Sequence, residues 1–280
     1  MYEINICKTN LEFKEAYKAY LNVYEPHMQL FFRNLIDDNR LLSDNEIRGA
    51  VYYDNKPVAL FLNAYPFNLQ LLILDYNHLE SVNVLIKHII DHKINIRGVQ
   101  GNLKDCKVFM EYYEILTNRK LEITYSMDIL CLYDLIEVPC KGKLHLANHR
   151  HVDLLVNNLI EFHKEALNEN VKYEMAEQTI ENMIENKCLY VYENENNEIT
   201  SCVQKHKSLP LGCGVSFVYT LKEHRGKGYA KSMMYLLCKE ILKESKYATL
   251  FVDKLNPISN KVYEDVGFKF VTDNYDCRII

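Results

Sequence analysis

"VSFVYTLKEHRGKGYAKSMMYLLCKEIL", Val215 to Leu242, decides how this chain reads. A strand-like apolar run stops at Thr220, a short link follows, and Arg225-Gly226-Lys227-Gly228 opens a helical pattern. Ala230, Met233, Met234, Leu237 and Ile241 recur at helical spacing. Lys239, Lys243 and Lys246 gather near the C-terminal end. Glycines let the backbone take positive φ and approach a ligand closely. Successive N–H groups then converge at a helix N-terminus, where the dipole favours anions. Arg225, Lys227 and Lys231 add formal charge. The design suits a pyrophosphate; the plainer reading is a glycine-rich turn with solvated cations.

Two other phosphate motifs fail here. A dinucleotide fingerprint needs G-x-G-x-x-G after a strand. "GCGVSF", with Gly212 and Gly214, has Phe217 in the third place and precedes a strand. A Walker loop needs G-x-x-x-x-G-K-[ST]. "RGKGYAKS" has Arg225 and Ala230 where its glycines must be.

The rest of the chain sets bounds. Its 280 residues suffice for two domains with real cores. With 48% hydrophobic and 25% charged residues, the composition is globular. A net charge of −5 argues against non-specific nucleic-acid binding. "MYEINICKTNLEFKE" lacks the apolar core of a signal peptide, and no apolar run approaches ~18 residues. No membrane span is expected. The nine cysteines fit neither a disulfide framework nor a zinc site. They are expected to be reduced, mostly buried thiols in a cytoplasmic protein, with no metal.

Element patterns repeat. "LEFKEAYKAYLNVY" and "HMQLFFRNLIDD" read as helices, and "GAVYYD", "PVALFLNAY" and "LQLLILD" as strands with "DNKP" as a turn. Helix "HLESVNVLIKHIIDHK", strand "INIRGV", helix "LKDCKVFMEYYEILT" and one or two strands in "KLEITYSMDILCLYDL" follow. "IEVPCKGKL" marks a boundary, giving domains 1–138 and 143–280. The order then recurs, ending in helix "PISNKVYEDV" and strands "FKFVTD" and "DCRII". Each half reads β-α-α-β-β-β-α-β-α-β-β. "RGVQGNLKDCKVFMEYY" and "LFVDKLNPISNKVYEDVGF" are the best local echo. The fold class is α+β, each domain a mixed, mainly antiparallel sheet flanked by helices.

"RGKGYA" resembles the R/Q-x-x-G-x-G/A signature of the GNAT acetyltransferase superfamily, with Arg225, Gly228 and Ala230 in the defined places. "NPISNKVYEDVGF" is similar to its second signature, through Asn256, Tyr263, Gly267 and Phe268. The resemblance covers the C-terminal half; the N-terminal half shares element order only. The layout resembles tandem GNAT proteins with a degenerate N-terminal copy, and is comparable to glycine N-acyltransferases. It implies acetyl-CoA or another acyl-CoA as co-substrate, with its pyrophosphate on Arg225, Gly226, Lys227, Gly228, Tyr229, Ala230 and Lys231. The pantetheine would lie along Phe217, Val218, Tyr219 and Thr220 like an added strand. An amine of a small molecule or peptide would attack the thioester directly, in a ternary complex.

Tyr263 would then be the general acid for the leaving thiolate. A phenol (~10) against a thiol (~8.5) is a weak acid, so hydrogen-bond stabilisation carries much of that role. Its structural alternative is packing beside Val262 and Val266. Asn256 before Pro257 is also a sound N-cap, and both roles are compatible; Asn260 is a further contact to the CoA arm. Many family members place a glutamate on the fourth strand as base, but "GVSFVYT" has no acid. His163, Glu165, His206 and Asp253 are open candidates, each with an ordinary structural alternative, and a water chain is another route. Cys238 lies well inside its helix and reads as core.

In the first half the glycine loop's place is held by "LDYNHLESVN", with no glycine and with Asp75 and Glu80. One acyl-CoA per chain is therefore expected. The expected function is N-acyl transfer; the alternative is a non-catalytic acyl-CoA-binding or regulatory protein.

Overall fold

The computed structural model describes residues 1–207 and 209–280. The chain opens with β1 (Tyr2–Ile6) and three short helices, α1 (Asn10–Ala16), α2 (Lys18–Tyr24) and α3 (Gln29–Asn34). Strands β2 (Ile47–Tyr53), β3 (Lys56–Asn63) and β4 (Leu69–Ile73) follow, then α4 (Glu80–Asp91), β5 (Gly98–Gly101), α5 (Leu103–Thr117) and β6 (Leu121–Leu132). The order then recurs. β7 (Lys143–Leu146) leads to α6 (Val152–Phe162), a π-helical turn at His163–Leu167, and α7 (Tyr173–Glu185). Next come β8 (Leu189–Glu193), β9 (Ile199–His206), β10 (Gly212–Thr220), α8 (Tyr229–Ile241), β11 (Tyr247–Asp253), α9 (Pro257–Val266) and β12 (Lys269–Ile279).

Local chemistry fixes the joints. The β2–β3 hairpin turns on Asp54 and Asn55, both at positive φ (47° and 63°), as a tight hairpin turn demands. Helix α1 starts with a capping box between Thr9 and Glu12. Helix α9 starts with Asn256 capping the Ser259 amide and Pro257 in the first turn. It ends at Gly267, φ +117°, where a Cβ would stand 2.6 Å from the Asp134 carbonyl.

Two compact units result: Met1–Ile129 with Val271–Ile280, and Leu130–Phe270. In the first, the strand order is β1-β2-β3-β4-β5-β12-β6. β4 and β5 run parallel, whereas β12 is antiparallel to β5 and the β1–β4 neighbours are antiparallel to one another. Phe61, Leu71, Val99, Leu85, Ile86 and Phe109 meet in its core, between sheet and helices α4 and α5. In the second, the order is β11-β10-β9-β8-β7, with the end of β6 beside β11. Leu250, Met233, Leu237 and Val266 form one core, and Leu155, Ile180, Leu189 and Phe217 another, under α6 and α7.

The division differs from the boundary placed at 138–143. Residues beyond β6 already belong to the second unit: the Ile136 amide donates to Val266, and Val138 is 7% exposed in that core. The chain's last segment belongs to the first, because Cys277 is fully buried there with Tyr275 and Ile279 packed alongside. Each half also closes with one long strand, β6 or β12, where two were allowed for. All nine cysteines are free thiols, and all but Cys140 and Cys188 are buried. Among the described residues no helix is long and apolar enough to cross a membrane.

Candidate active site

β10 and β11 pair in parallel only from Gly212–Gly214 to Tyr247–Thr249. Beyond that their ladder stops, leaving the β10 edge from Val215 to Thr220 open toward β11. On its other edge β10 bulges: Ser216 faces Gln204 and Tyr219 faces Cys202, so Phe217 and Val218 share the place opposite Val203. Phe217 sits at φ +47°, an uncommon conformation for a non-glycine residue. Its ring packs edge-on against Phe162 at 5.3 Å. Phe217 and Tyr219 both join the core under α6 and α7, while Val218 packs toward α8.

The glycine loop follows directly. Gly226 and Gly228 have φ of +76° and +84°, and a Cβ at either would meet nothing within 4 Å. They are needed for the backbone turn, and the space before them is open. Helix α8 begins at Gly228 without a side-chain cap. Its first internal bond is Ser232 N–H to the Gly228 carbonyl. Among the described residues, the N–H groups of Gly226, Lys227, Gly228, Tyr229, Ala230 and Lys231 therefore have no partner. Unsatisfied amides at a helix N-terminus form an anion cradle.

The cations are placed less simply. Arg225 donates from Nη2 to Glu165 (2.8 Å) and from Nε to the Thr220 carbonyl (3.0 Å). Lys231 reaches Asp265 at 3.2 Å. Lys227 is exposed at the loop's tip. Tyr229 contributes its amide to the cradle, while its ring lies 6.0 Å from those of Tyr192 and His224. The pairing of Arg225 with Glu165 was not legible in the loop motif, because Glu165 stands on the π-helical turn after α6.

Tyr263 lies on α9, 7% exposed, its ring edge-on to Phe268 at 5.8 Å. Burial pushes its phenol well above the ordinary tyrosine range, so it stays protonated. Asn256 and Asn260 both fasten α9 to the end of β11. Asn256 caps Ser259, and its own amide donates to the Asp253 carbonyl at 3.1 Å. Asn260 Nδ2 reaches the same carbonyl at 3.4 Å.

The four candidate bases are engaged. His163 meets Glu169 at 3.1 Å. Burial alone would raise the Glu165 carboxyl, but hydrogen bonds from Arg225 and Lys222 outweigh it and hold the group below the ordinary glutamate range. Asp253 accepts the Leu255 amide at 2.9 Å in its own turn. The His206 ring covers Gly214 on the next strand, where a Cβ would stand 2.3 Å from it. Cys238 is fully buried, and burial pushes its thiol far up, which rules out a ready nucleophile.

The first unit repeats this frame without the site. β4 and β5 pair in parallel at Leu69–Val99 and Gln70–Gln100, then separate. There the gap is filled from inside. The Ile73 amide donates to Asp105 Oδ2 (3.1 Å), and the Tyr76 hydroxyl to Asp105 Oδ1 (2.6 Å). The Asp75 carboxylate takes the Asn77 amide (3.0 Å) where a phosphate would need it. Asn102 caps α5 as Asn256 caps α9. Seven residues on, at the place of Tyr263, stands Phe109, fully buried and without a hydroxyl. The missing glycines and the acids Asp75 and Glu80 are legible in the sequence; the role of Asp105 depends on the fold.

Residues 191–277 match the family of FR47-like proteins. No curated protein matches the chain. Among solved structures, it is similar to a GCN5-related N-acetyltransferase from Sphaerobacter thermophilus, with 9% identity and a TM-score of 0.61 over 100% of this chain and 95% of the other. A GNAT-family acetyltransferase from Colwellia psychrerythraea gives 11% identity and 0.55 over 99% and 98%. A Drosophila protein gives 8% and 0.60 over 99% and 98%. These likenesses span both halves and concern the fold.

Proposed function

We propose, from the premise that this chain has the GNAT fold and an FR47-like second half, that it is an acyl-CoA-dependent N-acyltransferase with one donor site, in its second unit. The observation that carries this is the row of unpartnered amides from Gly226 to Lys231, in open space beside an unpaired strand edge. These features fit a pyrophosphate joined to an extended arm with amide groups. Acyl-CoA supplies the thioester that an acceptor amine attacks. The chain's part is to hold and to donate. The loop amides bind the pyrophosphate, with Lys227 and Lys231 near it, and the β10 edge from Val215 to Thr220 hydrogen-bonds the pantetheine. Tyr263 donates a hydrogen bond to sulfur as negative charge grows there, an interaction strongest in the transition state. The engaged state of Glu165 and Asp253 leaves water as the route for the acceptor's proton. The acceptor is an amine of a small molecule or peptide, and acetyl is the acyl group.

A second reading, acyl-CoA binding without catalysis, is favoured by one observation: β10 carries no acid, and the nearby Glu165 is held by two cations. Thiol release from acetyl-CoA over a panel of amines separates the readings. Amine-dependent release supports transfer. Tight acetyl-CoA binding with no release for any amine supports the binding protein.

A further inference from the structure

The sheet of the first unit has one apolar face and one polar face where it is nonetheless covered. Leu69, Leu71, Val99 and Cys277 enter the core. The alternating residues point away from it. Gln70, Gln100 and Asp276 stand abreast on β4, β5 and β12, each in register with the next. Asn68 and Arg278 extend that row by one alternation on the outer strands. Helix α3 and the segment at Phe67 lie over it, so Asn68 and Gln70 are only 7% and 3% exposed.

A cavity of about 320 Å³ remains above this floor. Asn68 and Gln70 line it, and their Nδ2 and Oε1 atoms, closed to solvent beneath its surface, have no hydrogen-bond partner. Buried amide groups are almost always paired, and each unpaired one is costly. A rotation of either side chain into the cavity would pair it with a ligand's donor or acceptor. The rim carries Arg33, Arg97 and Arg278. Each is only lightly committed. Arg33 lies over the Phe67 ring at 5.7 Å, and Arg97 reaches the Pro66 carbonyl at 3.4 Å. Arg278 Nε is 3.4 Å from Asp276 Oδ1, which also accepts from the Thr124 hydroxyl at 2.7 Å. Three guanidinium groups against one carboxylate make the mouth positive, 3 − 1 = +2 by formal count.

We infer that this cavity binds a small organic oxyanion. The arginines hold its carboxylate or phosphate, since guanidinium forks match either group. The amides of Asn68 and Gln70 hold a hydrogen-bonding group on its body. The size is that of a metabolite, at the low end for ligand sites (~300–1,000 Å³). The site is built wholly from the first unit and shares no residue with the glycine loop.

The test is calorimetric titration of the full chain, at low ionic strength, with citrate, L-glutamate and inorganic phosphate. At least one is expected to bind with one site per chain. Arg97→Ala and Arg278→Ala should each weaken that binding about tenfold, the scale of one charge-assisted contact. Gln70→Leu should weaken it while the protein stays folded, and Gly228→Val should leave it unchanged. Binding of citrate or glutamate alone assigns a carboxylate, and of phosphate alone a phosphate. No binding by any of the three overturns the inference. So does binding that the arginine variants do not change, or that Gly228→Val removes. A Gln70→Leu protein with higher Tm and unaltered affinity would show the amides to be no part of a site.

Discussion

Arg225 and Glu165 form an ion pair at 2.8 Å between the glycine loop and the turn after α6, sixty positions apart in sequence. The same guanidinium is fixed by the Thr220 carbonyl and lies 5.3 Å from the Tyr219 ring centre. Lys222 joins Glu165 at 3.2 Å and also pairs with Glu161. The loop is thus tied at its entry, while its amides remain open. A carboxylate held by these cations would compete for them with a phosphate bound at the loop.

Glu165 should therefore behave as a rival of the donor's phosphates and not as the catalytic base. Glu165→Gln should leave Tm nearly unchanged, because a half-exposed ion pair contributes less than about 1 kcal/mol. It should bind CoA as tightly as the wild type or tighter, with kcat retained. Arg225→Ala should weaken CoA binding by roughly tenfold. A hundredfold loss of kcat in Glu165→Gln, with a shifted pH–rate profile, would make Glu165 the base after all.

Tyr263→Phe removes one hydroxyl and keeps the ring that packs on Phe268. Stability and acetyl-CoA affinity should stay close to wild type. Turnover should fall roughly ten- to thousandfold, the scale of one donor acting on charge that develops in the transition state. Undiminished kcat would assign Tyr263 to the core alone.

Asp105 gives the first unit a distinctive pH dependence. Burial pushes its carboxyl up to about 6, against the hydrogen bonds from Tyr76, Ile73 and Asn102. The unfolded chain holds that proton only to ~3.9. Between these values the native state binds more protons, so this group's contribution to stability falls as pH rises. The loss is of the order of 2–3 kcal/mol over about two pH units, at ~1.4 kcal/mol each. Asp105→Asn removes the slope. Urea unfolding from pH 4 to 7 should show the variant gaining on the wild type up to about pH 6 and holding level above it. Parallel curves would mean that Asp105 titrates alike in both states.

Much of this was legible in the sequence. Gly226, Gly228, Asn256 and Gly267 each do what their residue types require of the backbone, so the strand–loop–helix and the capped helix α9 could be located. Asp54-Asn55 marked its hairpin in the same way. What escaped depends on partners distant in the chain. β12 joins the first unit because Cys277 finds its place beside Val99, and no local pattern in "DCRII" says so. The bulge at Phe217 arises from register against β9, in a stretch that reads as ordinary strand. Arg225 carried the right charge for a phosphate, yet its partner Glu165 is set by the π-helical turn. The polar row of Gln70, Gln100 and Asp276 comes from three separate strands and exists only once they are paired.

Equilibrium titration of the full chain with acetyl-CoA addresses the donor site most directly. One molecule should bind per chain, because the second unit has a glycine loop whose amides are open, while Asp105, Asp75 and Phe109 occupy the matching places in the first. Gly228→Ala and Gly228→Val both strain a φ of +84°, at a cost of about 1–2 kcal/mol. Both variants should stay folded by circular dichroism. The valine, which projects into the phosphate's space, should abolish binding, and the alanine should weaken it. Two molecules bound per chain, or unchanged affinity in a folded Gly228→Val protein, would contradict a single donor site on the 225–231 loop.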